Sequence, residues 1–188
     1  MKSKELCDNI LQLAAQPNFY EYGGWGQEMT RATLDSLAAR YPKNKPVNYD
    51  NVGKWGFDCI CLIKGVLAGV TVNHHINSYQ EFKNACPIGD CTNTEFKAML
   101  YDRVPADEAP AGYGLATDSH AAISLGNGRW IDANRTSGGQ DGLAVHYGGL
   151  AGFVAGKIPS VEYDEEPTTD DVQDFLQFLY KLWKENKS

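Results

Sequence analysis

Apolar residues recur at helical intervals through the first half of the chain. Leu6, Ile10, Leu13 and Ala14 follow the i, i+4, i+7, i+8 rule behind Ser3, a residue suited to capping, and the run stops near Pro17, which predicts a first helix. The stretch "PNFYEYGGWGQ" is aromatic and glycine-rich and reads as a loop. Thr30 then opens a second helix with Leu34, Leu37, Ala38 and Tyr41 on one stripe, ended by Pro42. Residues 42–57, with Pro46, Gly53 and Gly56, read as loop. From Asp58 the spacing of Cys59, Leu62, Ile63, Val66 and Leu67 describes a helix buried on a broad face and closed by Gly69. Two further helices are predicted. One starts at Ser78 with Tyr79 and Phe82 inward; the other starts at Thr92, where Thr92 and Glu95 have capping-box spacing ahead of Phe96, Met99 and Leu100.

After residue 104 the period changes. Small residues, proline and glycine give way to alternation, and "HAAISLGNGRWIDAN" reads as a β-hairpin turning at Gly126, Asn127 and Gly128. "GLAVHYGGLAGFVAG" and "IPSVEY" supply candidates for more strands, with Gly148, Gly149 and Gly152 at bends. Helices first and strands after is an α+β order. One domain over residues 1–163 is expected, followed by an acidic linker and an amphipathic C-terminal helix in 164–188. Val172, Phe175, Leu176, Leu179, Leu182 and Trp183 form that helix's stripe, which would dock on the domain, self-associate or meet a partner.

Composition narrows the function. A chain of 188 residues is long enough for one self-sufficient core, and its 19 glycines and 8 prolines suit a loop-rich globular fold. The net charge of −7, with no basic cluster, argues against nucleic acid as partner. No stretch is apolar for long enough to insert into a bilayer. The N-terminus is broken by Glu5, Asp8, Asn9 and Gln12 and lacks the apolar region of a signal peptide, so synthesis in the cytoplasm without a leader is expected. Five cysteines, an odd number, suggest reduced thiols.

Those thiols are the first candidate chemistry. Cys59, Cys61, Cys86 and Cys91 have the wrong spacings for a zinc knuckle: a CxC pair on a helix points its sulfurs some 200° apart, and "CPIGDC" puts four residues between its thiols. No metal is expected. The pair in "DCIC" is unequal. Cys59 falls in the first helical turn, where unpaired N–H groups and the helix dipole favour a thiolate, while Cys61 packs inward. A nucleophilic cysteine needs a base, and there are four histidines. His74 and His75 suit surface or structural roles, and His146 reads as a strand residue facing solvent or a neighbour. His120 begins a strand, from which it could reach a helix N-terminus. With a three-residue "GNG" loop, Ala122 faces Asp132 and His120 faces Asn134, which makes His120 and Asp132 diagonal neighbours on one face. A two-residue loop would instead flip that parity and put them on opposite faces. Asp132 is the first choice to hold the imidazole and Asn134, directly opposite, the second.

A cysteine on a helix, then a histidine heading a strand, then a polar residue on the next strand resembles a circularly permuted papain-type core, that of the NlpC/p-sixty family of bacterial and phage cell-wall peptidases. "FYEYGGWGQEMT" is similar to that family's opening segment, "DCICLIKGVLAG" to its nucleophile helix, and "SHAAISLGNGRWIDA" to its "GHVGIYIGNG" hairpin, over roughly residues 17–163. Cys61 stands where glycine is usual, "HAA" replaces "HVG", and Ser119 replaces glycine, which marks a divergent member. The resemblance implies a papain-like α+β fold with the nucleophile helix packed on an antiparallel sheet. It makes Cys59 the nucleophile, His120 the base and Asp132 the orienting residue, with Tyr20 near the oxyanion or substrate and Asp58 on the substrate's amino end. It implies hydrolysis of peptidoglycan stem peptides between D-glutamate and the diamino acid, with no cofactor, by a phage lysin, a tail-associated hydrolase or a bacterial enzyme acting on the wall. An acidic domain gains no electrostatic help toward an anionic wall, so a separate anchoring domain is one expectation. The same core also serves an amidase cutting between sugar and peptide, other thiol acyl transfer, or a wall-binding module without chemistry.

Overall fold

The computed structural model describes residues 1–42, 47–76, 78–135 and 141–164. Five helices run in chain order: α1 (Ser3–Ala14), α2 (Arg31–Arg40), α3 (Cys59–Leu67), α4 (Tyr79–Ala85) and α5 (Asn93–Met99). The caps follow the sequence in four of them, with Thr30, Asp58, Ser78 and Thr92 each accepting a backbone N–H of the first turn, and Thr92 and Glu95 closing a complete capping box. The first helix differs. Its N-cap is Lys2, with no side-chain cap, and the Ser3 N–H donates instead to the Glu162 carbonyl at 2.9 Å, tying the chain's start to the end of the domain. Met99 ends α5 and is exposed, while the extended Leu100 that follows turns inward.

The main sheet is wholly antiparallel, in the order β4-β9-β5-β6-β7-β8, from β4 (Tyr101–Val104), β5 (Gly114–Ala116), β6 (Ala121–Gly126), β7 (Arg129–Arg135), β8 (Asp141–Tyr147) and β9 (Val154–Lys157). Helices α1 and α3 cover one face, burying Leu6, Ile10, Leu13, Leu62, Ile63 and Val66 against Ala121, Ile123, Ile131 and Ala133. Each large side chain so buried contributes about 2 kcal/mol. The other face carries a second cluster with Leu115, Ala122, Trp130 and Leu150. Both faces of β6 are therefore covered, which explains its run of small and apolar residues, and its one polar side chain, Ser124, is buried with its hydroxyl donating to the Ala109 carbonyl at 2.7 Å. The architecture is α+β, with α3 packed on an antiparallel sheet, as the sequence implied.

A second, three-stranded sheet was not expected. The segment read as a loop contains β1 (Asn18–Tyr20) and β2 (Trp25–Glu28), and β3 (Trp55–Phe57) lies just ahead of α3. β3 pairs in parallel with β1 and antiparallel with β2. These strands are three or four residues long, too short for a period, and they form by pairing between segments distant in the chain, as in Asn18↔Trp55 and Glu28↔Trp55. Asn18 joins the two sheets: its Oδ1 accepts the Leu143 N–H at 2.7 Å while its Nδ2 donates to Gln16 at 2.8 Å. "IPSVEY" makes a turn and a single bridge of Glu162 to Lys2 rather than a strand. Among the described residues no helix is long and apolar enough to cross a membrane. The expected linker and C-terminal helix fall almost wholly outside the described residues.

Candidate active site

The parallel pairing Tyr20↔Phe57 brings the glycine-rich turn after β1 beside the residue that caps α3. Asp58 fixes that junction with both carboxylate oxygens: Oδ1 accepts the Cys61 N–H at 2.6 Å, and Oδ2 accepts the Gly23 N–H at 2.8 Å. Burial pushes the Asp58 carboxyl above its ordinary value, against the pull of those two N–H groups. Asp58 is thus the N-cap of the helix and a clamp on the turn, with little of its surface exposed. Cys59 follows as the first helical residue. It stands at the helix's positive end.

The thiol is 6% exposed and opens on a cavity of about 330 Å³ whose wall includes Tyr20, Asp58 and Asn93. The Asn93 amide lies 3.7 Å from Sγ. Burial pushes the thiols of Cys7 and Cys91 up to about 11, and raises those of Cys61 and Cys86 as well, so these four stay protonated at neutral pH. Beyond Cys61 the cavity wall is charged but internally paired: Lys64, almost fully buried, bonds Asp90 at 2.8 Å. Burial opposes the Lys64 ammonium, but its anionic surroundings prevail and hold it above the ordinary lysine value. The phenol of Tyr20 is likewise raised, by burial first and then by Asp58 and Cys59.

His120 stands at the head of β6 and bridges to the helix. Its Nε2 lies 2.6 Å from Asp132 Oδ2, and the ring stands near enough to the Cys59 side chain for the two to interact. A carboxylate only accepts, so Nε2 carries a proton and Nδ1 is the nitrogen left for the sulfur. Burial disfavours the imidazolium, but the interactions with Asp132 and Cys59 prevail and push His120 up to about 9. A thiol, an imidazole and a buried carboxylate in series can move a proton off sulfur and hold the resulting cation. Asp132, at 0% exposure, is the group bonded to His120; Asn134 pairs with Gly142 and makes no such bond.

The chain is similar to the crystal structure of the P60 domain of an antigen from M. avium subspecies paratuberculosis, at 18% identity and a TM-score of 0.40, over 83% of this chain and 96% of that one. No family model matches the chain, and no curated protein does.

The structure thus brings Cys59, His120 and Asp132 together; of the three, Cys59 lines the cavity, along with Tyr20 and Asp58. Two neighbours escaped the sequence reading. Asn93 gave no signal, because its approach depends on how α5 docks. His146 was read as a strand residue, and it is one, but its Nε2 bonds Asp132 Oδ1 at 2.8 Å. Alternation in "GLAVHY" puts His146 and Ala144 on one face; only the pairing Asp132↔Ala144 shows that this face is the one carrying Asp132. Among the described residues no three His, Cys, Asp or Glu side chains gather as a metal site.

Proposed function

We propose that the protein is an NlpC/p-sixty-type cysteine peptidase that hydrolyses amide bonds in peptidoglycan stem peptides, at the D-glutamyl to diamino acid link. The observation that carries the reading is Cys59 at a helix N-terminus, open to a cavity, with His120 beside it and bonded to the buried Asp132. The working form is a Cys59 thiolate beside a His120 imidazolium. Sulfur attacks the scissile carbonyl, and the Cys59 N–H, unused by the helix, donates to the oxyanion. His120 gives its Nδ1 proton to the leaving amine, which leaves a thioester. Water, deprotonated by His120, then releases the acid and restores the thiol. Tyr20 and Asp58 flank the substrate, Asp58 chiefly through the turn it holds in place.

Purified cell wall incubated with the protein should yield new diamino-acid amino ends by mass spectrometry. Release of stem peptides from sugar instead would replace the peptidase assignment with an amidase. Cys59→Ala should abolish cleavage while leaving the melting temperature almost unchanged, since one small buried thiol is lost. Undiminished cleavage by that variant would end the thiol mechanism.

A further inference from the structure

Asp132 is completely buried, and each of its oxygens receives one imidazole: His120 on Oδ2 at 2.6 Å and His146 on Oδ1 at 2.8 Å. A buried carboxylate is stable as an anion only when its lone pairs are answered by donors. Among the described residues no lysine or arginine bonds Asp132, so the two rings answer it. His146 is itself fixed. It pairs with Trp130 across the β7–β8 ladder, and its ring lies on the indole with centroids 4.2 Å apart and planes 25° from parallel. Nε2 faces a carboxylate and must carry hydrogen, whatever the charge of the ring.

We propose that His146 is a positioning residue, which by donating to Oδ1 holds the Asp132 carboxylate in place and turns Oδ2 onto His120, extending the catalytic series to four members. This rests on the catalytic reading given above. His146 exchanges no proton in the reaction; it acts on Asp132, and through Asp132 on His120. The groups facing the series are Cys59 and Phe153 around His120, the two imidazoles around Asp132, and Trp130 under His146. Without the donor, Oδ1 is left bare in a dry site, the carboxyl group rotates to find another, and His120 loses the partner that holds its charge.

Two substitutions separate this role from a structural one. His146→Phe keeps the stack on Trp130 and loses the donor; His146→Gln places an amide N–H near the position of Nε2 and loses the ring. The readout is the rate of Cys59 alkylation by iodoacetamide in the whole chain at pH 7, with the labelled cysteine located by peptide mapping and melting temperature followed in parallel. His146→Phe should slow alkylation about tenfold, the equivalent of one pH unit in the titration of His120, and His146→Gln should stay within about threefold of the parent. Should His146→Phe fail to fold, His146→Gln decides alone by keeping or losing the rate. Parent-like alkylation in His146→Phe, or a rate in His146→Gln as low as in Asp132→Ala, would overturn the proposal while leaving the catalytic reading in place. Parental Cys59 no more reactive than the other four thiols would remove both.

Discussion

The proton on His120 is the residue-scale quantity that governs the site. Its pKa rises from 6.5 to about 9 on folding because interactions of the ring with Asp132 and Cys59 outweigh the cost of burial. A raised value means that the folded state holds the proton more tightly. The associated stabilisation is complete below pH 6.5 and disappears as pH rises through 9. The catalytic ion pair also needs that proton, so cleavage should fall along a basic limb near pH 9. In Asp132→Ala the limb should move down by one or more pH units, toward the unperturbed histidine value. A pH–rate profile of both proteins checks this. An unmoved limb in the variant would mean that Asp132 does not tune the imidazole.

At the scale of the element, α3 depends on how closely its backbone approaches β2. A Cβ built on Gly65 would stand 2.2 Å from the Trp25 carbonyl oxygen, a backbone atom that cannot swing aside. Glycine at 65 lets the helix seat against the small sheet, four residues after Cys61 occupies the position where the family resemblance led one to expect glycine. Gly65→Ala gains helix propensity of about 1 kcal/mol but incurs overpacking of about 1–3 kcal/mol. A net loss of up to about 2 kcal/mol is expected, read as a lower urea midpoint, together with slower cleavage because Cys59 rides on the same helix. The hairpin shows the same sensitivity to local geometry. It turns at Asn127 and Gly128, both with positive φ, and pairs Gly126 with Arg129, a two-residue turn. By itself that turn would put His120 and Asp132 on opposite faces. A bulge at Leu125 and Gly126, where Gly126 has φ +78°, restores the register Ser124↔Trp130 and the shared face. The expected parity is correct, by a route other than the three-residue loop.

For the whole molecule, charge is the relevant property. A chain of net charge −7 approaching an anionic wall meets repulsion that reaches about 10 Å at 0.1 M salt. If the wall is the substrate, cleavage of intact wall should rise as sodium chloride goes from about 20 to 200 mM, while cleavage of a short uncharged stem-peptide analogue stays flat. Initial rates on the two substrates test this, and a fall with salt on the wall would point to an attractive, cation-mediated contact instead. The start of the chain is also held against the core. The Ser3 to Glu162 bond and the fully buried Leu6, Ile10 and Leu13 make α1 part of the domain that carries the site.

The sequence by itself determined the elements whose signals are local: the capped helices α2 to α5, the period of α3, the β6–β7 hairpin, and hence Cys59 at a helix start with His120 and Asp132 on adjacent strands. These follow from side-chain spacing and caps, which act over three or four residues. Only the tertiary structure decided what depends on distant pairing. The small sheet exists because β1 and β3 meet across the chain, and Asp58 becomes a clamp because Gly23 arrives beside it. Asp132 reaches His120 because the bulge puts the two on one face, and His146 joins them because β8 pairs with β7 in the register Asp132↔Ala144. Pairing energy belongs to two segments at once, so neither segment alone encodes it.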